Sequence, residues 1–265
     1  MLLAVDIGNT NIVLGLFDGE QEGAGKEATL VHDWRMRTDA RMTADEIALT
    51  FRGLLGEYSD KVTGIAALST VPAVLRELRV MLHRYWPQLP RVIVGPGVRT
   101  GVPLLYDNPR EVGADRIVNT LAAYTLYGGP AIVVDFGTST NFDVVSARGE
   151  FLGGALAPGI EISVDALAAR AAALVKVPLI RPRSVIGKST VEALQSGLLF
   201  GFAGQVDGLV RRISAELAPG AESDVVVIAT GGLAPLVIAE SETIAHHAPD
   251  LTLFGLQMVF ERNTR

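Results

Sequence analysis

The sequence predicts an α/β protein made of two related halves, each built on a buried, largely parallel sheet. Three observations carry this. Short runs of Val, Ile, Leu and Ala alternate with segments of helical period. A strand–turn–strand segment near the N-terminus recurs about 129 residues later. The 265 residues, 49% of them hydrophobic and 20% charged, suit either one large domain or two ordinary ones and exclude global disorder.

In chain order, LLAVD at 2–6 and IVLGLF at 12–17 flank a polar GNTN and read as strand, tight turn, strand. A Gly- and Glu-rich turn at 19–27 precedes a third strand around 30–35. Thr43 stands three residues before Glu46, the pattern of a capping box, and Ile47, Leu54 and Leu55 continue with helical period. A strand at 62–68, a helix at 71–84 and a strand at 91–94 follow, then a loop-like stretch at 96–113. The second half opens with a helix at 115–127 and the buried strand AIVVD at 131–135. FDVVSA, a turn at Gly149, FLGGALAPG and a helix at 161–174 come next. One long or two shorter helices fill 189–217, VVVIATGG at 225–232 reads as a parallel strand, and a last helix ends near Arg262. No linker separates independent domains, and the halves divide near residue 117, giving 1–117 and 118–265.

The repeat aligns VDIGNTNIVLGLFDGE at 5–20 with VDFGTSTNFDVVSARGE at 134–150, with Thr10 one place beyond Thr138. Each copy is a buried strand ending in Asp, a Gly turn carrying hydroxyl and amide side chains, and a second strand. A carboxylate at the carboxyl edge of an open sheet sits where such sheets bind ligands, and successive turn amides can cradle phosphate. Ordinary β-hairpins with Asp-Gly turns give the same pattern, and metal-dependent hydrolysis is a third reading.

Composition narrows the chemistry. The absence of Cys removes disulfides, thiolate nucleophiles and cysteine-based metal sites, and the four His, at 32, 83, 246 and 247, have no zinc-ligand spacing. It also fits a reducing cytosol. A net charge of -6 argues against general binding to nucleic acid or anionic membranes. No run of 18 apolar residues occurs, and Asp6 interrupts the apolar start too early for a signal peptide. Gly187-Lys188-Ser189-Thr190 ends like a Walker loop, but Pro182 stands where that loop needs its first Gly. His246-His247 reads as surface or strand-end structure.

The remaining polar cluster is YDNPREVGADR at 106–116. Asp115 precedes an apolar helical pattern, so the positive end of that helix is expected to keep it ionised, and Arg116 is available to an anion. An N-cap Asp beside a surface Arg reads equally well. TGG at 230–232 either lets backbone approach a base or ribose, or turns the chain.

Together DIGNTN, NPREVGADR, DFGTST, GGALAPG, IGKST and ATGG, in this order over essentially the whole chain, resemble the type III pantothenate kinases. These belong to the superfamily of acetate and sugar kinases, Hsp70 and actin. Asn141 stands where that family commonly has Thr, and AAALVKVPL at 171–179 is a looser form of its TAxLP segment. The resemblance implies an α/β fold of duplicated ribonuclease-H-like lobes with ATP between them. It implies a cytoplasmic homodimer that phosphorylates pantothenate to 4'-phosphopantothenate, the first step of coenzyme A synthesis.

It also implies roles for residues. Asp6, Ile7, Gly8, Asn9, Thr10, Asn11, Ile12 and Val13 would contact the ATP phosphates, with Asp6 assisting Mg²⁺. Asp115 would be the base for the pantothenate hydroxyl. Tyr106, Gly113, Ala114, Asp115 and Arg116 would hold pantothenate. Asp135 would ligate a monovalent cation, K⁺ or NH₄⁺, and Thr138 would touch ATP. Thr190 would reach pantothenate across the dimer. Three rivals remain at this point: a carboxylate nuclease using Asp6, Asp135 and Asp143, a sugar or acetate kinase, and a non-catalytic ATP-binding module.

Overall fold

The computed structural model describes residues 1–18, 28–170 and 177–264. The expected turn at 19–27, the end of the expected helix beyond 170 and most of the 171–179 segment lie outside the described residues. Contacts gather the chain into two units. The first holds Met1–Gly101, Asn108–Ala122 and the segment from Thr252 onward; the second holds Val102–Asp107 and Ala123–Leu251. The expected division is a single cut near 117. In the contacts, the C-terminal segment returns to the first unit and 102–107 joins the second.

The first unit contains β1 (Leu2–Ile7), β2 (Asn11–Asp18), β3 (Thr29–Arg37), α1 (Ala44–Leu55), β4 (Gly64–Ser69), α2 (Pro72–Tyr85) and β5 (Arg91–Ile93). α3 (Ala114–Tyr127) starts in it and α7 (Leu251–Thr264) lies almost wholly in it. Its sheet runs β3-β2-β1-β4-β5, an antiparallel meander joined through β1 to a parallel half. One face carries Leu3, Val5 and Ile7 beside Ile12, Leu14 and Leu16, and packs with Ile47 and Phe51 of α1 and Val74 and Leu78 of α2. Burying each side chain of this size contributes about 1.5–3 kcal/mol. The capping box forms: the Glu46 N–H donates to Thr43 Oγ1 at 3.4 Å, and the Thr43 N–H to Glu46 Oε2 at 2.8 Å.

The other face is covered by α7 because the strands carry glycine beneath it. A Cβ on Gly15 would lie 2.8 Å from Leu253 Cδ1, and one on Gly64 would lie 2.5 Å from Phe260 Cζ. Phe254 meets Phe17 edge-on, with centroids 5.3 Å apart. This packing draws the last helix into the first unit.

The second unit repeats the plan. β6 (Ala131–Phe136), β7 (Ser139–Val145), β8 (Phe151–Pro158), β9 (Val226–Thr230) and β10 (His246–His247) form a sheet ordered β10-β9-β6-β7-β8. As in the first sheet, the central strand is antiparallel to the strand that follows it and parallel to the later one. β1 and β6 share one burial pattern, in which only the Asp among the six residues is not fully buried. The unit adds α4 (Ile160–Arg170), α5 (Thr190–Leu217) and α6 (Ala234–Ile238). Ile132, Val134 and Phe136 pack with Val206 and Val210 of α5 and Val237 of α6. The stretch expected as one or two helices is one helix of 28 residues. Among the described residues no helix is long and apolar enough to cross a membrane.

Candidate functional site

In the first unit the site begins at the carboxyl end of β1, the strand where the antiparallel and parallel halves of the sheet meet. Asp6 is opposite Val13 on β2 and beside Leu68 on β4. The turn from Gly8 to Asn11 closes with a 3.0 Å bond from the Gly8 N–H to the Asn11 carbonyl. Two threonines hold it from either side. The Thr38 N–H donates to the Thr10 carbonyl at 3.0 Å and its hydroxyl to the Gly8 carbonyl at 2.7 Å; the Thr70 N–H donates to the Ile7 carbonyl at 2.9 Å. The carbonyls of Ile7, Gly8, Thr10 and Asn11 are thus all occupied by protein donors. Asn9 and Thr10 are exposed at the tip. A turn whose acceptors are spent inward suits an anion.

The second unit has the same turn with one residue fewer. Its Gly137 N–H donates to the Ser139 carbonyl at 3.0 Å, and Phe136 pairs with Thr140 where Ile7 pairs with Ile12. Thr138 and Thr10 therefore occupy equivalent places, each just before the residue whose carbonyl receives the glycine N–H. The one-place offset in the sequence alignment is this missing residue. Gly231, in TGG, has φ +89° and lies on the strand end: a Cβ there would stand 2.5 Å from Asp135 Oδ1 and 2.6 Å from the Phe136 carbonyl. Gly159, just ahead of α4, likewise has no room for a Cβ against the Thr138 carbonyl.

Asp115 belongs to the first unit with the Asp6 turn. It sits in the first turn of α3, after Ala114, not at the position before the helix. Its carboxylate folds back over Gly113, where any Cβ would overlap it. The expectation that the helix end keeps this group readily ionised is overridden. Burial pushes its pKa up, and the Arg116 and Asp115 amides and the Arg116 charge recover only part of the shift. For Asp6, burial and the negative charge of Asp115 push the pKa up to about 7 against the pull of Arg35. A buried carboxylate whose affinity for protons is raised further by a second carboxylate marks a site wanting positive charge.

The other expected residues fall in the second unit. The Tyr106 ring lies 5.9 Å from that of Phe151 and is tilted against it. Thr190 is the exposed first residue of α5. Beside it the GKST segment serves as helix cap: Ser189 accepts from the Glu192 N–H at 3.2 Å, and the Lys188 N–H donates to Glu192 at 2.9 Å. Asp143, a candidate of the nuclease reading, is buried in β7 at 1% exposure. His246 and His247 are an exposed edge strand. Sequence reading missed Thr38 and Thr70. Nothing in their local pattern marks them, and they become visible only when β3 and β4 take their register beside the turn.

Comparison with known proteins identifies the family. Residues 2–212 match the profile of the type III pantothenate kinase family. The type III pantothenate kinase of Saccharopolyspora erythraea is 70% identical over 263 residues, which covers 99% of each chain. Among solved structures, a Campylobacter jejuni protein assigned to the Baf family of transcriptional activators superposes with a TM-score of 0.59 at 18% identity, over 98% of both chains. A Listeria monocytogenes protein described as an N-acetylmannosamine kinase gives 0.55 at 15% identity, over 100% of this chain and 99% of its own. At such identities the structures speak for the fold alone, an α/β fold with two similar sheet-containing units. The chain belongs to the type III pantothenate kinase family.

Proposed function

We propose that this chain phosphorylates pantothenate with ATP through Asp115 as base and the Asp6–Val13 segment as phosphate cradle. The observation that carries this assignment is the turn from Gly8 to Asn11, bonded inward beside Asp6, in the same unit as Asp115, whose charge adds to burial in raising the Asp6 pKa. ATP-dependent phosphorylation of pantothenate, the first step of coenzyme A synthesis, is the activity of the family.

Phosphoryl transfer asks a protein mainly for alignment and charge neutralisation. Asp115 takes the proton of the pantothenate hydroxyl as that oxygen attacks the γ-phosphorus; the bond to ADP breaks and 4'-phosphopantothenate forms. A base with a raised pKa is better matched to neutral pH than an ordinary carboxylate. Gly113, Ala114 and Arg116 hold the acceptor, with Arg116 suited to its carboxylate, and Tyr106 lines the same substrate. Thr138 touches ATP at the place that Thr10 holds in the first turn.

The donor sets suit the two cations. Mg²⁺ typically takes one or two carboxylates and completes its shell with phosphate oxygens and water. Asp6, whose pKa is raised by burial and by the charge of Asp115, fits that role. Among the described residues no cluster of three or more acidic or His side chains exists to hold a metal by itself. Asp135, against the backbone of Phe136 and Gly231, offers oxygens to K⁺ or NH₄⁺, and the cations would supply charge against the triphosphate.

The working form is a homodimer in which Thr190 completes the partner's pantothenate pocket. Support comes from α5, where Gly197, Gly201, Gly204 and Gly208 lie on one face and a Cβ on any of them would meet nothing within 4 Å. A face so bare lets a second helix approach closely. Consumption of labelled ATP by the purified chain, with and without pantothenate, tests the assignment. Pantothenate-dependent turnover supports it, and turnover indifferent to pantothenate removes it.

A further inference from the structure

The phosphate turn of the first unit carries no lysine or arginine, for GNTNIV at 8–13 is uncharged. With Asp6 and Asp115 nearby, a triphosphate placed there meets two carboxylates, and Arg116 beside Asp115 is assigned to the acceptor. The register of the sheet shows where compensation comes from. Asp6 pairs with Val13 and Val13 pairs with Arg35, so the three side chains stand in one row across β1, β2 and β3 on the same face. Adjacent strands lie about 4.8 Å apart, so the Asp6 and Arg35 backbones are separated by roughly 10 Å, with only a half-buried valine between them.

That row is the open one. In the next row toward the sheet centre Gly15 lies opposite Asp33, and Leu253 of α7 seals it. Arg35 is exposed, and among the described residues it makes no ion pair or hydrogen bond. Some exposed arginines are held in ion pairs, as Arg84 is with Asp45 and Arg183 with Glu192. The charge of Arg35 also reaches the site, since it pulls against the burial of Asp6.

We propose that Arg35 binds the phosphate oxygens of ATP above the Asp6–Val13 row, as the cation that the turn itself lacks. This rests on the assignment of that turn to ATP. An exposed guanidinium that makes no ion pair or hydrogen bond among the described residues is available for charge-assisted, bidentate bonds to phosphate. Because Arg35 is exposed and makes no ion pair or hydrogen bond among the described residues, its replacement should leave the fold little changed.

The test is the affinity of wild type, Arg35→Gln and Arg35→Lys for ATP, ADP and AMP by calorimetry, beside pantothenate phosphorylation by each. Arg35→Gln should bind ATP about ten- to a hundredfold more weakly, with a smaller loss for ADP and least for AMP. Arg35→Lys should recover part of that loss, and all three chains should melt alike without nucleotide. ATP affinity of Arg35→Gln within about twofold of wild type, or an equal loss for all three nucleotides, overturns the proposal. Wild type that binds ATP but does not phosphorylate pantothenate would count against the acceptor assignment and leave the affinity comparison standing as the test of Arg35.

Discussion

Asp115 and Gly113 act as a pair. The carboxylate occupies the space that a side chain at 113 would need, so the smallest substitution there displaces it. Gly113→Ala should therefore lower kcat about a hundredfold or more, as a misplaced base does, with the melting temperature little changed. Steady-state kinetics beside a thermal melt check this. Asp6 makes a prediction of opposite sign for stability. Its folded pKa of about 7 lies above the ordinary 3.8, so its contribution to stability is fully present below 3.8 and is lost as pH rises through 7. Asp6→Asn should raise the melting temperature of the nucleotide-free protein at about pH 8 and do little near pH 4, while activity is lost. Melts at the two pH values decide it. The sequence could mark both aspartates, because each ends or begins an apolar pattern two residues from a glycine. It could not show that burial outweighs the helix end at Asp115, since that depends on what packs over it.

Single elements are held in place by polar contacts that no local pattern announces. Asp207 on α5 accepts from the Ser241 hydroxyl at 2.7 Å, the Thr243 hydroxyl at 2.8 Å and the Glu242 N–H at 3.0 Å, and so ties the segment after α6 to the long helix. These bonds hold its pKa below the usual carboxylate range against the opposing effect of burial. Its contribution to stability is present above the ordinary pKa and is lost as pH falls through the depressed one. Asp207→Ala should destabilise the second unit by about 2–4 kcal/mol, since donors are left unpaired, and chemical denaturation measures it. The capping box at Thr43 and the parallel strand at 226–230 were legible because cap chemistry and unbroken apolarity are local signals. The continuity of α5 was not. Its interior glycines at 197, 201, 204 and 208 each disfavour helix by about 1 kcal/mol relative to Ala, and only packing of its buried face makes it one piece.

At the scale of the molecule, the duplication was legible because an Asp at a strand end, a glycine turn and a second strand are adjacent in sequence. The sheet order then repeats in both units. The return of α7 to the first unit was not legible, for Gly15 and Gly64 find Leu253 and Phe260 only through contacts nearly 200 or more residues apart in the chain. The bare face of α5 gives a prediction about assembly. A Cβ on Gly201 would meet nothing within 4 Å among the described residues, so Gly201→Leu should leave the fold unaffected or slightly stabilised, whereas close approach of a second copy should be blocked. Sedimentation at assay concentration should show wild type as dimer and the variant shifted to monomer with weakened pantothenate affinity. An unchanged dimer would place the interface elsewhere.

The claim on which the rest depends is that Asp115 removes the proton from pantothenate as phosphate arrives. Asp115 is not the cap of α3, so its replacement by Asn leaves the helix start intact. The direct measurement is phosphorylation of pantothenate by purified wild type and Asp115→Asn under saturating ATP, with nucleotide affinity measured on the same samples. General base catalysis is worth about 10²–10⁴, so kcat should fall by that factor with nucleotide affinity nearly unchanged. Turnover within about threefold of wild type would contradict the account and require another group to be the base.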